Sequence, residues 1–176
     1  MKDVIQQRGS AAFGTRLRRL SEKLDRQVQA LYRAHDLGFE PRWFPVFALL
    51  NEHGPLSVGE LAALIGITHA AVSQVRGELI RQRLVRAKAD PADRRRQIVE
   101  LTDKGKALCR KLRPLWQAVA RATDALWAET APGFLDQLDR VEAAIERNPM
   151  NMRAAKFLRA PKRKISGDHH ANSSRR

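Results

Sequence analysis

Apolar positions along this chain recur mostly at helical spacing and switch to strand-like runs only near its middle. From Phe13 to about Ala34, Leu17, Leu20, Leu24, Val28 and Leu31 form one stripe, which predicts a long helix. Arg16, Arg18, Arg19, Lys23 and Arg26 crowd its other faces. Gly38 breaks the pattern, and Pro41 suits a first helical turn. A second helix is expected over Arg42–Glu52, carrying Trp43, Phe44, Val46, Phe47, Leu49 and Leu50. Pro45 falls in its first turn, where a missing amide costs little. Toward the C-terminus, Leu108, Leu112, Leu115, Val119, Ala122 and Leu126 follow a near-heptad stripe in a helix predicted over 104–128. Pro114 is expected to kink or interrupt it. The last clear helix is Ala131–Arg147, with Phe134, Leu135, Leu138, Val141 and Ile145 inward, and Met150–Leu158 has room for a short one.

Between these long stripes lies a different pattern, from Ser57 to Thr102. Ser57 and Glu60 have the spacing of a capping box, which satisfies orphan amide donors at a helix start. Leu61, Leu64 and Ile65 follow on one expected face, and Gly66 supplies a left-handed turn. Thr68 caps a second helix whose inward face is expected to be Val72, Val75, Leu79 and Ile80. The outward face carries His69, Ala70, Ser73, Gln74 and Gly77, all small or polar. Such a face fits a DNA major groove, because bulky apolar groups would clash there while Ser, Gln and His reach base edges. Leu84, Val85 and Ala87 then read as a strand ending at the Asp90-Pro91 turn signal. Asp93, Arg94, Arg95 and Arg96 follow, then a second strand Gln97–Leu101, and Thr102 caps the next helix. The two strands make a wing with cations at its tip, and a narrow minor groove attracts arginine.

Residues from about Pro41 to Leu108 resemble the MarR family of winged helix-turn-helix transcriptional regulators. The matching pieces are LSVGELAALIGITHAAVSQ, the apolar link Leu79 to Val85, and DPADRRRQIVELTDKG, with Asp93, Arg95, Leu101 and Thr102 the most specific. The resemblance implies a mainly α fold, namely a winged helix-turn-helix (about 41–104) with a small two-stranded β wing. It further implies dimerisation helices at 13–34 and 104–147 within a domain of 13–148, and a bacterial, cytoplasmic homodimer on a palindromic operator of double-stranded DNA. The wing arginine matching Arg95 would enter the minor groove, with Asp93 bracing it. Candidate DNA-contacting residues are Ser57, Thr68, His69, Ala70, Ser73, Gln74, Arg76, Asp93, Arg94, Arg95 and Arg96. Family members often bind aromatic acids and other lipophilic molecules between their lobes, which makes Trp43, Phe47 and Trp116 candidate pocket residues for a small-molecule effector. WFPVF at 43–47 and the GPLS lead-in are similar to a subgroup sometimes fused to an acetyltransferase domain.

Composition agrees with a polyanion partner. The formal net charge is +14, from 33 Lys plus Arg against 19 Asp plus Glu. No apolar run reaches the roughly 18 residues of a membrane span, so no membrane partner is expected. Residues 1–12 are expected to be flexible, and 149–176 to hold the short helix and a basic disordered tail in which Lys162, Arg163 and Lys164 are candidates for phosphate contact. Neither a metal site nor a cofactor is expected. His35, His53, His69, His169 and His170 lack ligand spacing with the one cysteine, Cys109, which reads as buried filler. No nucleophile motif or phosphate-cradling loop points to an enzyme. Three other classes remain: an architectural nucleic-acid binder without operator preference, a module for an acidic protein, and an enzyme; the regulator half of an acetyltransferase fusion is an alternative within the regulator reading.

Overall fold

A computed structural model describes residues 3–90, 93 and 96–158. Its chain divides into two compact units, Met1–Thr123 and Asp124–Arg176. The first unit begins with one helical turn, α1 (Val4–Gln7), capped by Asp3, whose carboxylate accepts from the Ile5 amide at 2.9 Å. That carboxylate also pairs with Arg19 at 2.8 Å, and a 3-10 turn over Gly9–Ala12 buries Ala12. The cap and the ion pair tie the start of α1 to the helix that follows.

Helix α2 (Phe13–Ala34) has the predicted extent. Its last turns join the core through Tyr32 and Val28, while Phe13, Leu17, Leu20 and Leu24 on the earlier turns are exposed in the single chain. It ends with Asp36 at φ +52 and the Leu37 amide donating back to the Tyr32 carbonyl. Phe39 follows, fully buried, although it lies in what the sequence presents as a linker. Its ring meets Tyr32, Trp43, Phe47 and Trp116 at centroid distances of 5.2–6.0 Å. Such tilted and edge contacts are the favoured aromatic geometries. A 3-10 turn over Pro41–Trp43 leads into α3 (Phe44–His53), with Pro45 in its first turn.

The middle of the chain is a winged helix. β1 (Leu56–Ser57), α4 (Val58–Ile65), α5 (His69–Arg81), β2 (Val85–Ala89), β3 (Gln97–Leu101) and α6 (Asp103–Thr130) follow in order. The sheet has three antiparallel strands in the order β1-β3-β2. Val85 to Ala89 run opposite Leu101 to Gln97, and Leu56 and Ser57 lie opposite Val99 and Ile98. The expected two-stranded wing thus gains a third strand, too short at two residues to show a period in the sequence. Leu84 closes α5 rather than opening β2: its amide donates to the Leu79 carbonyl after Arg83 turns through φ +58.

Leu64, expected to share a face with Leu61 and Ile65, and Ile80, expected inward, both turn toward solvent. Leu64 is 58% exposed and Ile80 39% exposed. On a helical wheel Leu64 lies about 110° from the direction shared by Val58, Leu61, Ala62 and Ile65, and Ile80 about 90° from that of Val72 and Leu79. Neither short helix buries a stripe that wide.

Thr102 sets α6 against this core. Its hydroxyl donates to the Arg83 carbonyl at 2.8 Å and accepts from the Gly105 amide at 3.1 Å. Gly105 is buried so close to the Leu84 carbonyl that a Cβ there would lie 2.1 Å from the oxygen. Pro114 was expected to kink or interrupt α6, yet the helix runs uninterrupted through it. Pro114 and Arg110 are both exposed, so the carbonyl that loses its donor faces solvent rather than a dry core. Leu112, fully buried, and Leu115 and Trp116, packed against the core, hold the helix on either side.

In the second unit, α7 (Phe134–Arg147) starts after Gly133 at φ +74, and α8 (Met150–Ala155) follows. Trp127 and Phe134 pack at 4.5 Å. Arg153 donates to the carbonyls of Ala144 and Asn148, both at 2.7 Å, capping the end of α7. Leu135, Val141 and Ile145, expected inward, are exposed in the single chain, because α7 buries no residue fully. Among the described residues no single helix is long and apolar enough to cross a membrane. The basic tail with Lys162, Arg163 and Lys164 lies outside the described residues.

Candidate nucleic-acid interface

The first turn of α4 is built as its sequence predicts. The Ser57 amide and hydroxyl each donate to Glu60 Oε2 at 2.7 Å, and the Glu60 amide donates to Ser57 Oγ at 3.2 Å. Ser57 is therefore buried, its hydroxyl used within the cap rather than turned outward. Gly66 at φ +73 makes the turn, a conformation that favours glycine. Thr68 then caps α5 by accepting from the Ala71 amide at 3.2 Å. Along α5, Thr68, His69, Ala70 and Gln74 are exposed and Ser73, Arg76 and Gly77 half-buried. Arg76 Nε is covered and has no hydrogen-bond partner among the described residues.

Two contacts that hold this helix were not visible in the sequence. Glu78, its side chain 11% exposed, accepts from Trp43 Nε1 at 2.7 Å and pairs with Arg42 at 3.1 Å. Arg42 also pairs with Glu40 at 2.8 Å. Trp43 is thus a strut between the start of α3 and the back of α5. At the other end of α5, His69 lies over Gly59, where a Cβ would come within 3.2 Å of the imidazole Nε2.

The wing carries more internal pairing than its composition suggests. Glu100 of β3 accepts from Arg86 and pairs with Lys88 at 3.0 Å, and both cations hold its carboxyl below the usual carboxylate range. At the head of β3, Arg96 pairs with Glu60 Oε1 at 2.6 Å and lies 3.7 Å from Asp90. The Asp90 amide donates to the Arg96 carbonyl and the Arg96 amide to the Asp93 carbonyl, each at 2.8 Å. The Ser57 amide and then the Arg96 guanidinium bring Glu60 down to about 2, so it is ionised throughout the neutral range. Asp93 is exposed. Arg94 and Arg95 lie outside the described residues, so the bracing of Arg95 by Asp93 does too.

Of the three candidate pocket residues, Trp43 and Phe47 are buried in the aromatic core, and Trp116 is half-buried against Phe39 and Phe44. Trp116 Nε1 is covered and faces the Tyr32 hydroxyl without a well-formed hydrogen bond. A cleft of about 310 Å³ lies elsewhere, lined by Asp36, Leu37, Gly38, Gln82, Leu84, Lys104, Ala107, Leu108 and Lys111. Cys109 is buried, and burial pushes its thiol up to about 11. Among the described residues no group of three or more His, Cys, Asp or Glu is placed to hold a metal ion.

Two capped helices around a left-handed turn, backed by a β-hairpin, make this a winged helix-turn-helix protein. Residues 37–96 match the model of the MarR family. The chain is 30% identical over 98 residues to the HTH-type transcriptional repressor NicR of Pseudomonas putida. That alignment covers 51% of this chain and 62% of NicR, so the chain spans less than two thirds of that relative's length. Mutant MarR of E. coli complexed with operator DNA superposes with a TM-score of 0.62 at 16% identity, over 82% of this chain and 99% of that one. PcaV of Streptomyces coelicolor in complex with its natural ligand gives 0.61 at 22%, over 82% and 99%. BpsR of Bordetella bronchiseptica, whose DNA binding is regulated by 6-hydroxynicotinic acid, gives 0.60 at 24%, over 76% and 91%. At these identities the structural likeness establishes the fold, which is that of MarR-type winged-helix proteins.

Proposed function

We propose that this chain is a sequence-specific transcriptional regulator of the MarR family, a homodimeric repressor that binds a palindromic operator. The observation that carries this reading is the exposed face of α5. Thr68, His69, Ala70 and Gln74 present a slim polar surface on a helix anchored from behind by Glu78 and Trp43. His69, Ser73, Gln74 and Arg76 are the base-reading candidates, and Thr68 with the wing cations positions the protein on phosphates. In a dimer the two α5 helices meet half-sites one helical turn apart, roughly 34–36 Å. The exposed apolar row of α2 supports the second copy, because Phe13, Leu17, Leu20 and Leu24 have no cover in the single chain. The reading places the protein in the cytoplasm with its DNA.

Effector release is part of the same reading. NicR is a repressor, BpsR responds to 6-hydroxynicotinic acid and PcaV binds a natural ligand. The aromatic rings of Phe39, Phe44 and Trp116 lie together, a setting that suits a small aromatic acid. Such a ligand acts only if it prefers one dimer geometry over the other.

Selection of duplexes from genomic DNA, followed by titration against a scrambled duplex, tests the proposal. The expected result is a palindromic site bound far more tightly than the scrambled sequence, with affinity falling steeply as salt rises. Equal affinity for every duplex would make the protein an architectural binder instead.

A further inference from the structure

We infer that the Glu60 carboxylate is the joint that aims the wing, and that Glu60 and Arg96 act as positioning residues for DNA recognition. The inference rests on the DNA-binding reading above and deepens it. The sheet is three-stranded only where β1 reaches, opposite Val99 and Ile98. Beyond Ile98 the hairpin is a two-stranded ribbon, and such ribbons twist more freely than a sheet. Arg96 lies two residues further out, and its guanidinium is tied to Glu60 at 2.6 Å. Glu60 is a firm anchor because its other oxygen is fixed: Oε2 accepts twice from Ser57, leaving Oε1 for Arg96. The same turn also seats the recognition helix, since Gly59 leaves the space over which His69 lies. One turn of α4 therefore sets the direction of the ribbon and the place of the first residue of α5.

Electrostatics alone predicts the opposite sign for one variant. Removing a negative charge from a DNA-binding surface should strengthen binding. The joint predicts that Glu60→Gln weakens it. Glutamine serves equally well in a capping box, so α4 keeps its start while the ion pair is lost. Arg96→Gln breaks the same pair from the other side and leaves the cap untouched.

The experiment titrates the full-length protein, Glu60→Gln, Arg96→Gln and the double variant against a duplex selected by the wild-type protein and against a scrambled duplex, over a range of salt. Expected is a loss of about twofold to fivefold on the selected duplex for each single variant, the most an exposed pair can contribute, with the double variant no worse than either. The scrambled duplex is bound much as before by Glu60→Gln, and its salt slope stays put. Thermal midpoints stay within about 4 °C of wild type, because exposed pairs add little to stability. Glu60→Gln binding as tightly as wild type, or more tightly, overturns the joint alone. So does an equal loss for Arg96→Gln on both duplexes with a salt slope shallower by about one, the mark of a plain phosphate contact. A wild-type protein that binds no duplex at low salt overturns the DNA-binding reading and the joint together.

Discussion

Gly105 shows how little tolerance single positions have in this core. A methyl group there would meet the Leu84 carbonyl at 2.1 Å, and that oxygen is held by the Thr102 amide at 3.0 Å. The backbone must move to admit it. Gly105→Ala is therefore expected to destabilise the fold by about 1–3 kcal/mol, despite alanine's better helix propensity, as read from the urea midpoint. Cys109 gives a second prediction at this scale. Its thiol is held at about 11 against an ordinary 9, mainly by burial. Below about pH 9 both folded and unfolded thiols are protonated. Between about 9 and 11 only the unfolded thiol ionises, so stability is lost as pH rises through that window. Iodoacetamide at about pH 8 should leave Cys109 unmodified in the native protein and alkylate it in denaturant. Rapid native labelling would show that the Cys109 thiol is accessible in the folded chain.

Among elements, the helices were the most legible. The stripe from Leu17 to Leu31 marks α2, and the Ser57–Glu60 and Thr68 caps mark where α4 and α5 begin, because each signal is local. What escaped was set by contacts distant in sequence. Phe39 is a core residue only because rings from α2, α3 and α6 converge on it. β1 is a strand only because β3 lies beside it. Pro114 stays inside a helix because its neighbours are anchored and its own face is wet. At the candidate interface the exposed face of α5 was readable from composition, whereas the Glu78–Trp43 strut spans 35 positions and leaves no periodic trace. That strut is testable. Glu78→Ala should strand the buried Trp43 donor and cost about 1–3 kcal/mol by chemical denaturation. Trp43→Phe together with Glu78→Ala should lose less than the two single effects added.

At the scale of the molecule, the first question is what covers α2. Phe13, Leu17, Leu20 and Leu24 are exposed on a helix whose later turns are firmly in the core. A second copy would bury that row, as a two-fold interface does for like surfaces. The protein should then sediment at about twice its 19.9 kDa chain mass, and Leu17→Glu combined with Leu20→Glu should return it to the single-chain value. An unchanged mass would move the partner surface elsewhere. The net charge of +14 does not translate directly into grip on a polyanion. Arg86 and Lys88 share Glu100, and Arg96 is held by Glu60, so three of the wing's basic side chains already face carboxylates within the protein. On the proposed DNA-binding reading, a double helix docking at this edge would meet a ribbon that has partly neutralised itself. It should shed fewer small ions than a tally of arginines and lysines would suggest, and discrimination between sites would then rest more on shape than on raw attraction.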